Sequence, residues 1–387
     1  MRLRGLRFGL RLAGLLLSLG CAVVAAPTAT PLALTLAPPA VTPLPTDQPP
    51  TAVPSPAPPV VAVAIVGPEE VVFDWTTQHC APNDYPDLPV RAFRDASGQV
   101  VVSRAGPNNR RFTGPDLDHL SAPCDVVYAS HRDPEHANFR DEEWLQALYT
   151  EDGQTVHAIL HNEDNCTPDE GGFCWYQNMT YAVSADGGLT YQQPEPPANY
   201  LASPPWRFAP GAGVFGLTAG SNVLKRLDGA YYTLAMLVNR GDAAQHTCLL
   251  RTPDLADPAA WRAWDGDGFD LAFVNPYSPD ASEDAVPCPA LAYDQIGSMH
   301  ESLTYNTYLE QYVLLGSMAS HPGGLLTWGI HYAVSDDLIH WSDRQLLIEM
   351  PLSAHYGPGG PDALAYPVLL DPDSPARNYD VADKLRW

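Results

Sequence analysis

The chain has little positive charge: lysine and arginine number 21 against 45 aspartates and glutamates, a formal net charge of −24. That balance argues against nucleic acid and anionic lipid as partners, because both demand basic surface. No Cys-x-x-Cys pair occurs and the cysteine spacings match no zinc pattern, so no metal or cofactor is expected from them. Apolar stripes of helical period are missing as well. The run from Glu142 to Leu148 makes two helical turns at most. The apolar run from Leu12 to Leu19 is too short to span a bilayer.

That apolar run follows Arg2, Arg4, Arg7 and Arg11, and residues 1–26 read as an export leader cleaved after Ala25 or Ala26. Ser18-Leu19-Gly20-Cys21 also resembles a bacterial lipobox, which would make Cys21 a lipidated first residue. Residues 27–63 are rich in proline, threonine and alanine, with Asp47 as the lone charge up to Pro59. Such a stretch cannot bury a core and favours an extended, semi-rigid stalk. The expected location is outside the cell, secreted or anchored through the lipid, with no other membrane contact. Residues 64–387 form the folded part. Beyond Cys21 lie Cys80, Cys124, Cys166, Cys174, Cys248 and Cys288, an even set that suits an oxidising compartment. Cys166 and Cys174 flank a short loop and form the first expected bridge. Cys80–Cys124 and Cys248–Cys288 follow by proximity along the chain.

What the sequence does have is a repeated turn. In Tyr181-Ala182-Val183-Ser184-Ala185-Asp186-Gly187-Gly188-Leu189-Thr190-Tyr191 an apolar strand pattern runs into Ser-x-Asp, two glycines and an aromatic. The hydroxyl and carboxylate accept backbone N–H bonds locally, and glycine supplies positive φ. Ser335-x-Asp337 ending in Trp341, Thr252-x-Asp254 ending in Trp261, and Thr150-x-Asp152 repeat the device. Strand-like runs such as Val90–Phe93, Thr155–Leu160, Tyr231–Leu237, Tyr312–Gly316 and Leu326–Tyr332 are punctuated by Asp-Gly turns. The expected fold is all-β, a five-bladed β-propeller.

Ser184-x-Asp186-x-Gly188-x-Thr190 resembles the Asp-box of sialidases and related propellers. Ser335-x-Asp337-Leu338-x-x-Trp341 resembles the blade signature of the arabinanase, xylosidase and invertase group of five-bladed propeller glycoside hydrolases. Gly220-Ser221-Asn222-Val223 is similar to a blade opening in these enzymes. The Asp-box is a structural turn, so it specifies architecture rather than chemistry. The resemblance implies a monomeric glycosidase acting on an extracellular glycan, with carboxylates on inner-strand mouths meeting at the hub. Two carboxyl groups are needed across the scissile bond, one protonated and one ionised. The resemblance implies Asp87, or Asp84, as base and Glu301 as general acid, with Glu163 as modulator or as the acid itself. Asp84, Arg91, His161, Asn222, His300, Asp362 and Tyr366 are then the residues expected to hold sugar. The oxygen-rich mouths would suit a Ca²⁺ ion, although no loop has a readable ligand spacing. The same motifs fit a propeller that binds carbohydrate or protein without cleaving it.

Overall fold

Four antiparallel meanders follow one another along the chain, and each is built from runs the sequence marks as apolar. The computed structural model describes residues 62–383 apart from 66, 69, 83, 167–172, 321–326 and 351–363. The leader, Cys21, nearly all of the 27–63 stalk and Asp362 therefore lie outside the described residues. The described residues belong to one compact unit. No helix among the described residues is long and apolar enough to cross a membrane.

The first meander holds β1 (Ala92–Arg94), β2 (Val100–Arg104), β3 (Asn108–Gly114) and β4 (Tyr128–Ala129). The second holds β5 (Glu142–Tyr149), β6 (Val156–Asn165), β7 (Cys174–Ser184) and β8 (Tyr200–Ala202). The third runs β9 (Gly213–Ala219), with β10 (Leu224–Lys225) paired beside it to β11 (Tyr231–Val238), then β12 (Gln245–Thr252), β13 (Arg262–Ala263) and β14 (Leu271–Ala272). The fourth holds β15 (Ser302–Asn306), β16 (Gln311–Ser320), β17 (Thr327–Ser335) and β18 (Gln345–Met350). Last comes β19 (Val381–Ala382), parallel to β15. The second and third meanders also join through a short parallel pairing of β7 with β9. The two α-helices among the described residues, Trp75–Gln78 and Tyr293–Ile296, have four residues each.

Apolar side chains fill the gaps between successive meanders. Phe93 and Val101 meet Leu145, Leu160 and Ala182 between the first and second. Met179 and Leu201 meet Leu217, Ala235 and Leu250 between the second and third. Leu234 and Leu249 meet Leu303, Leu314 and Trp341 between the third and fourth. The gap between the fourth and the first is filled by residues 364–383. Leu369 packs against the fourth meander, while Leu370 and Tyr379 pack against the first. Backbone bonds seal both sides: Tyr305 N–H donates to Asp380 O at 3.0 Å, and Arg94 N–H to Arg377 O at 2.8 Å. The cores thus close a circuit.

At the centre of that circuit stands Arg91. Its Nε donates to Gln146 O at 3.0 Å, and its Nη2 donates to Gly220 O at 2.7 Å and Glu301 O at 2.8 Å. One buried guanidinium from the first meander therefore touches all three others. Gln146 is the extra residue of a bulge in β5, because Leu145 pairs with Leu160 and Ala147 already with Ile159. The bulge takes Gln146 out of the ladder and frees its carbonyl for Arg91. Burial pushes the Arg91 guanidinium down to about 9, opposed by Glu301.

Two expectations about organisation need correcting. The Glu142–Leu148 run is strand β5, not helix. It is buried on both faces, and an uninterrupted apolar run has no period to distinguish strand from helix. Val156–Leu160 belongs to the second strand of its meander rather than the innermost. Among the described residues four full meanders occur, and residues 364–383 contribute β19 to the remaining position of the expected five.

The repeated turns form as expected. Asp186 Oδ1 accepts the N–H groups of Leu189 at 3.1 Å and Thr190 at 2.9 Å, and Ser184 Oγ accepts Gly188 N–H at 2.9 Å. Asp337 and Ser335 do the same for Ile339, His340 and Leu338. The turns at Ser184, Thr252 and Ser335 follow the third strand of a meander, whereas that at Thr150 joins the first strand to the second. All three expected disulfides are present, with Cα–Cα distances of 5.6, 5.2 and 6.0 Å. Gly188 has φ +81°, and a Cβ there would lie 2.8 Å from the Phe93 ring. Gly188→Ala is expected to cost about 1–3 kcal/mol, read as a lower urea midpoint at unchanged slope.

Candidate active site

Strand β6 emerges from the core carrying two kinds of side chain. Alternation sends Asn162 and Asp164 to one face and His161 and Glu163 to the other. The ladder places Trp144 opposite His161 and Glu142 opposite Glu163 on β5, with Met179 and Gln177 opposite them on β7. Directly opposed residues share a face, so these six side chains form one surface. On it, His161 Nε2 and Glu163 Oε1 are 2.8 Å apart, and the Trp144 and His161 rings lie 5.8 Å apart. His161 is 1% exposed, and its Nδ1 has no partner among the described residues. With Nε2–H donating to Glu163, Nδ1 is a bare acceptor.

Asp87 comes to this surface from the segment before β1, fixed by its N–H to Ala105 O at 3.0 Å. Tyr366, 279 residues away, donates its hydroxyl to Asp87 Oδ1 at 3.1 Å. Burial pushes the Asp87 carboxyl above the ordinary aspartate value. The Tyr366 hydroxyl pulls it back, the Glu163 charge pushes it further up, and His161 opposes that push. Asp87 is therefore near enough for the Glu163 charge to act on it. Four of the residues expected at the site (Asp87, His161, Glu163 and Tyr366) are brought together.

The others are placed differently. Glu301 is 7% exposed and lies by the hub. Its carboxylate accepts Ser317 N–H at 2.9 Å and His300 N–H at 3.2 Å, while its backbone carbonyl accepts Arg91. His300 Nδ1 lies 2.7 Å from Ser298 O. Asp84 is buried in ion pairs with Arg104 and Arg110. The Asn222 amide is taken up by the backbone of Leu303, accepting its N–H at 3.0 Å and donating to its carbonyl at 2.7 Å. Asn378 grips Thr150 in the same way, which marks both amides as stitches between neighbouring elements. Arg91 is wholly engaged with backbone carbonyls.

The sequence pattern passes over Glu142, because the strand that carries it lacks alternation. It also passes over Asp164, which is buried on the opposite face of β6. There Asn162 and Asn178 donate to Asp164 and His136 Nδ1 lies 3.2 Å away, and burial pushes the carboxyl up. The Asn162-x-Asp164 alternation beside His161-x-Glu163 was the available signal for two separate polar faces. For metal ions, a grouping of His246, Cys248 and Cys288 lies close together among the described residues, but the two sulfurs are bonded to each other.

No protein-family model matches the chain, and no curated protein does. Among solved structures it is similar to glycoside hydrolases at low identity. An endo-arabinase from Bacteroides thetaiotaomicron is 12% identical over 70% of this chain and 85% of that one, with a TM-score of 0.39. The α-L-arabinanase of Cellvibrio cellulosa is 10% identical over 68% and 74%, with a TM-score of 0.38. The sucrose-6-phosphate hydrolase of Lactobacillus gasseri is 14% identical over 65% of this chain and 44% of its own, with a TM-score of 0.41.

Proposed function

We propose that the chain is an exported glycoside hydrolase on a β-propeller scaffold, cleaving an extracellular glycan between Asp87 and Glu163. The observation that carries this is a half-buried Asp87 carboxyl, held by Tyr366 ahead of β1, within reach of the Glu163 charge. One is pushed up by burial and by the other's charge; the other is hydrogen-bonded to a buried histidine. Glycoside hydrolysis needs such a pair, a proton donor and an ionised partner. The roles follow from the environments and reverse the assignment suggested by resemblance. Asp87 is the general acid, giving its proton to the leaving oxygen, and the Tyr366 hydroxyl then stabilises the carboxylate that remains. Glu163, oriented by His161, is the nucleophile or the base that activates water. Glu301 and Arg91 hold the hub beneath the pair.

The scaffold in this proposal has five positions around Arg91. The meanders fill four, and residues 364–383 occupy the fifth. The leader pattern and the three disulfides suit an oxidising, extracellular setting. The test is a screen of polysaccharides for new reducing ends, run beside Asp87→Asn. The wild type is expected to release oligosaccharide, and Asp87→Asn to be slower by about 10²-fold or more. Binding of a glycan without any new reducing ends would replace this reading with a non-catalytic lectin-like role.

A further inference from the structure

Basic side chains are scarce in this chain, yet three of its 21 line a single cavity of about 220 Å³ against the first meander. Arg104 and Arg110 are 2% and 8% exposed, and both turn to the single carboxylate of Asp84. That carboxylate answers two guanidiniums and is then spent. Arg104 Nε and Nη1 have no partner among the described residues, and Arg110 contributes only its Nε to the pair. Burial works against the Arg104 charge, and Asp84 is what offsets it. Arg132, on the rim, is paired to Glu142. A buried guanidinium with open donors is costly unless something fills them, and its planar fork matches a carboxylate or sulfate.

The cavity adjoins the carboxyl pair on both sides. Ala105, which lines it, accepts the Asp87 N–H, and Glu142, which holds Arg132, stands opposite Glu163 in the β5–β6 ladder. We propose that this cavity receives an acidic substituent of the substrate. The glycan cut at Asp87 and Glu163 carries a uronate carboxylate or a sulfate ester, held by Arg104, Arg110 and Arg132. The inference rests on the glycosidase reading for its location and deepens it by naming the substrate class. The chain's overall charge of −24 repels a polyanion, so affinity has to come from these three side chains rather than from the general field. A neutral sugar leaves their donors unanswered, which makes the cavity selective.

The experiment is calorimetric titration of the whole exported chain with glucuronate, glucose 6-sulfate and glucose, in the wild type and in Arg110→Gln, Arg132→Gln and Arg240→Gln. One acid sugar is expected to bind at least about tenfold more tightly than glucose, and which of them does so identifies the substituent. Arg110→Gln and Arg132→Gln are expected to weaken it by about tenfold or more, and Arg240→Gln, whose partner is Glu283 outside the cavity, to leave it unchanged. Arg110 is tied to buried Asp84 and its loss can upset folding. Arg132 is half-exposed, so its variant keeps the test decisive. Equal binding of glucose and both acid sugars would overturn the proposal, as would unchanged binding in Arg132→Gln. Acid-sugar binding through the arginines with no cleavage of any glycan would sink the catalytic reading while leaving this subsite standing. Cleavage confined to neutral glycans would do the reverse.

Discussion

Glu163→Gln is expected to slow glycan cleavage by about 10²–10⁴-fold while leaving the unfolding midpoint almost where it was. The substitution keeps the shape of the side chain and its carbonyl oxygen, so the contact with His161 survives. What disappears is the charge that would support an oxocarbenium-like transition state or deprotonate water. Glu163 is only 13% exposed, but glutamine matches its volume, so the substitution disturbs little packing. Initial-rate assays on the best glycan of the screen, paired with urea unfolding, separate the two effects. A variant that is equally active and less stable would make Glu163 structural.

Arg91→Met is expected to give the largest stability loss in the molecule, about 3–5 kcal/mol. Methionine fills similar space and adds no charge, but it leaves Gln146 O and Glu301 O without the donor that now reaches them. Gly220 O fares better, since the Gln146 side-chain amide also donates to it. The carbonyls belong to three different meanders, so the damage falls on the centre that all of them share. Urea unfolding measures the loss, and the expected signature is a lower midpoint. A loss below about 1 kcal/mol, the size of an ordinary surface change, would show that the hub is held by its apolar interfaces alone.

Much of the architecture was legible because its signals are local. The Ser184-x-Asp186 turn closes within a few residues, so hydroxyl, carboxylate and glycine in sequence suffice to announce it. The disulfides were equally readable, since each joins cysteines adjacent in the cysteine order. Strand β5 was not, because an inner strand buried on both faces loses the alternation that identifies a strand. That single misreading hid Glu142 and the bulge at Gln146. The site was legible in part. His161 and Glu163 stand out as polar residues two apart after an apolar run, and Asp87 as an acid before a strand. Their meeting was not legible from the pattern alone, because it depends on contacts between segments as distant as Asp87 and Tyr366. Arg91 reads in sequence like a residue that holds sugar, yet it serves backbone carbonyls, which leave no trace in side-chain composition. Asn222 reads like a ligand-facing amide for the same reason: its partner is the backbone of Leu303.

The most direct measurement is an NMR titration of the Asp87 carboxyl carbon in the wild type and in Glu163→Gln. Burial and the Glu163 charge both raise Asp87, so its midpoint should lie above the ordinary aspartate value of about 3.9. Removing the Glu163 charge takes away one of the upward pushes, so the midpoint should fall in the variant. An Asp87 that titrates near the ordinary value, and identically in both proteins, would mean that the two carboxyl groups do not meet.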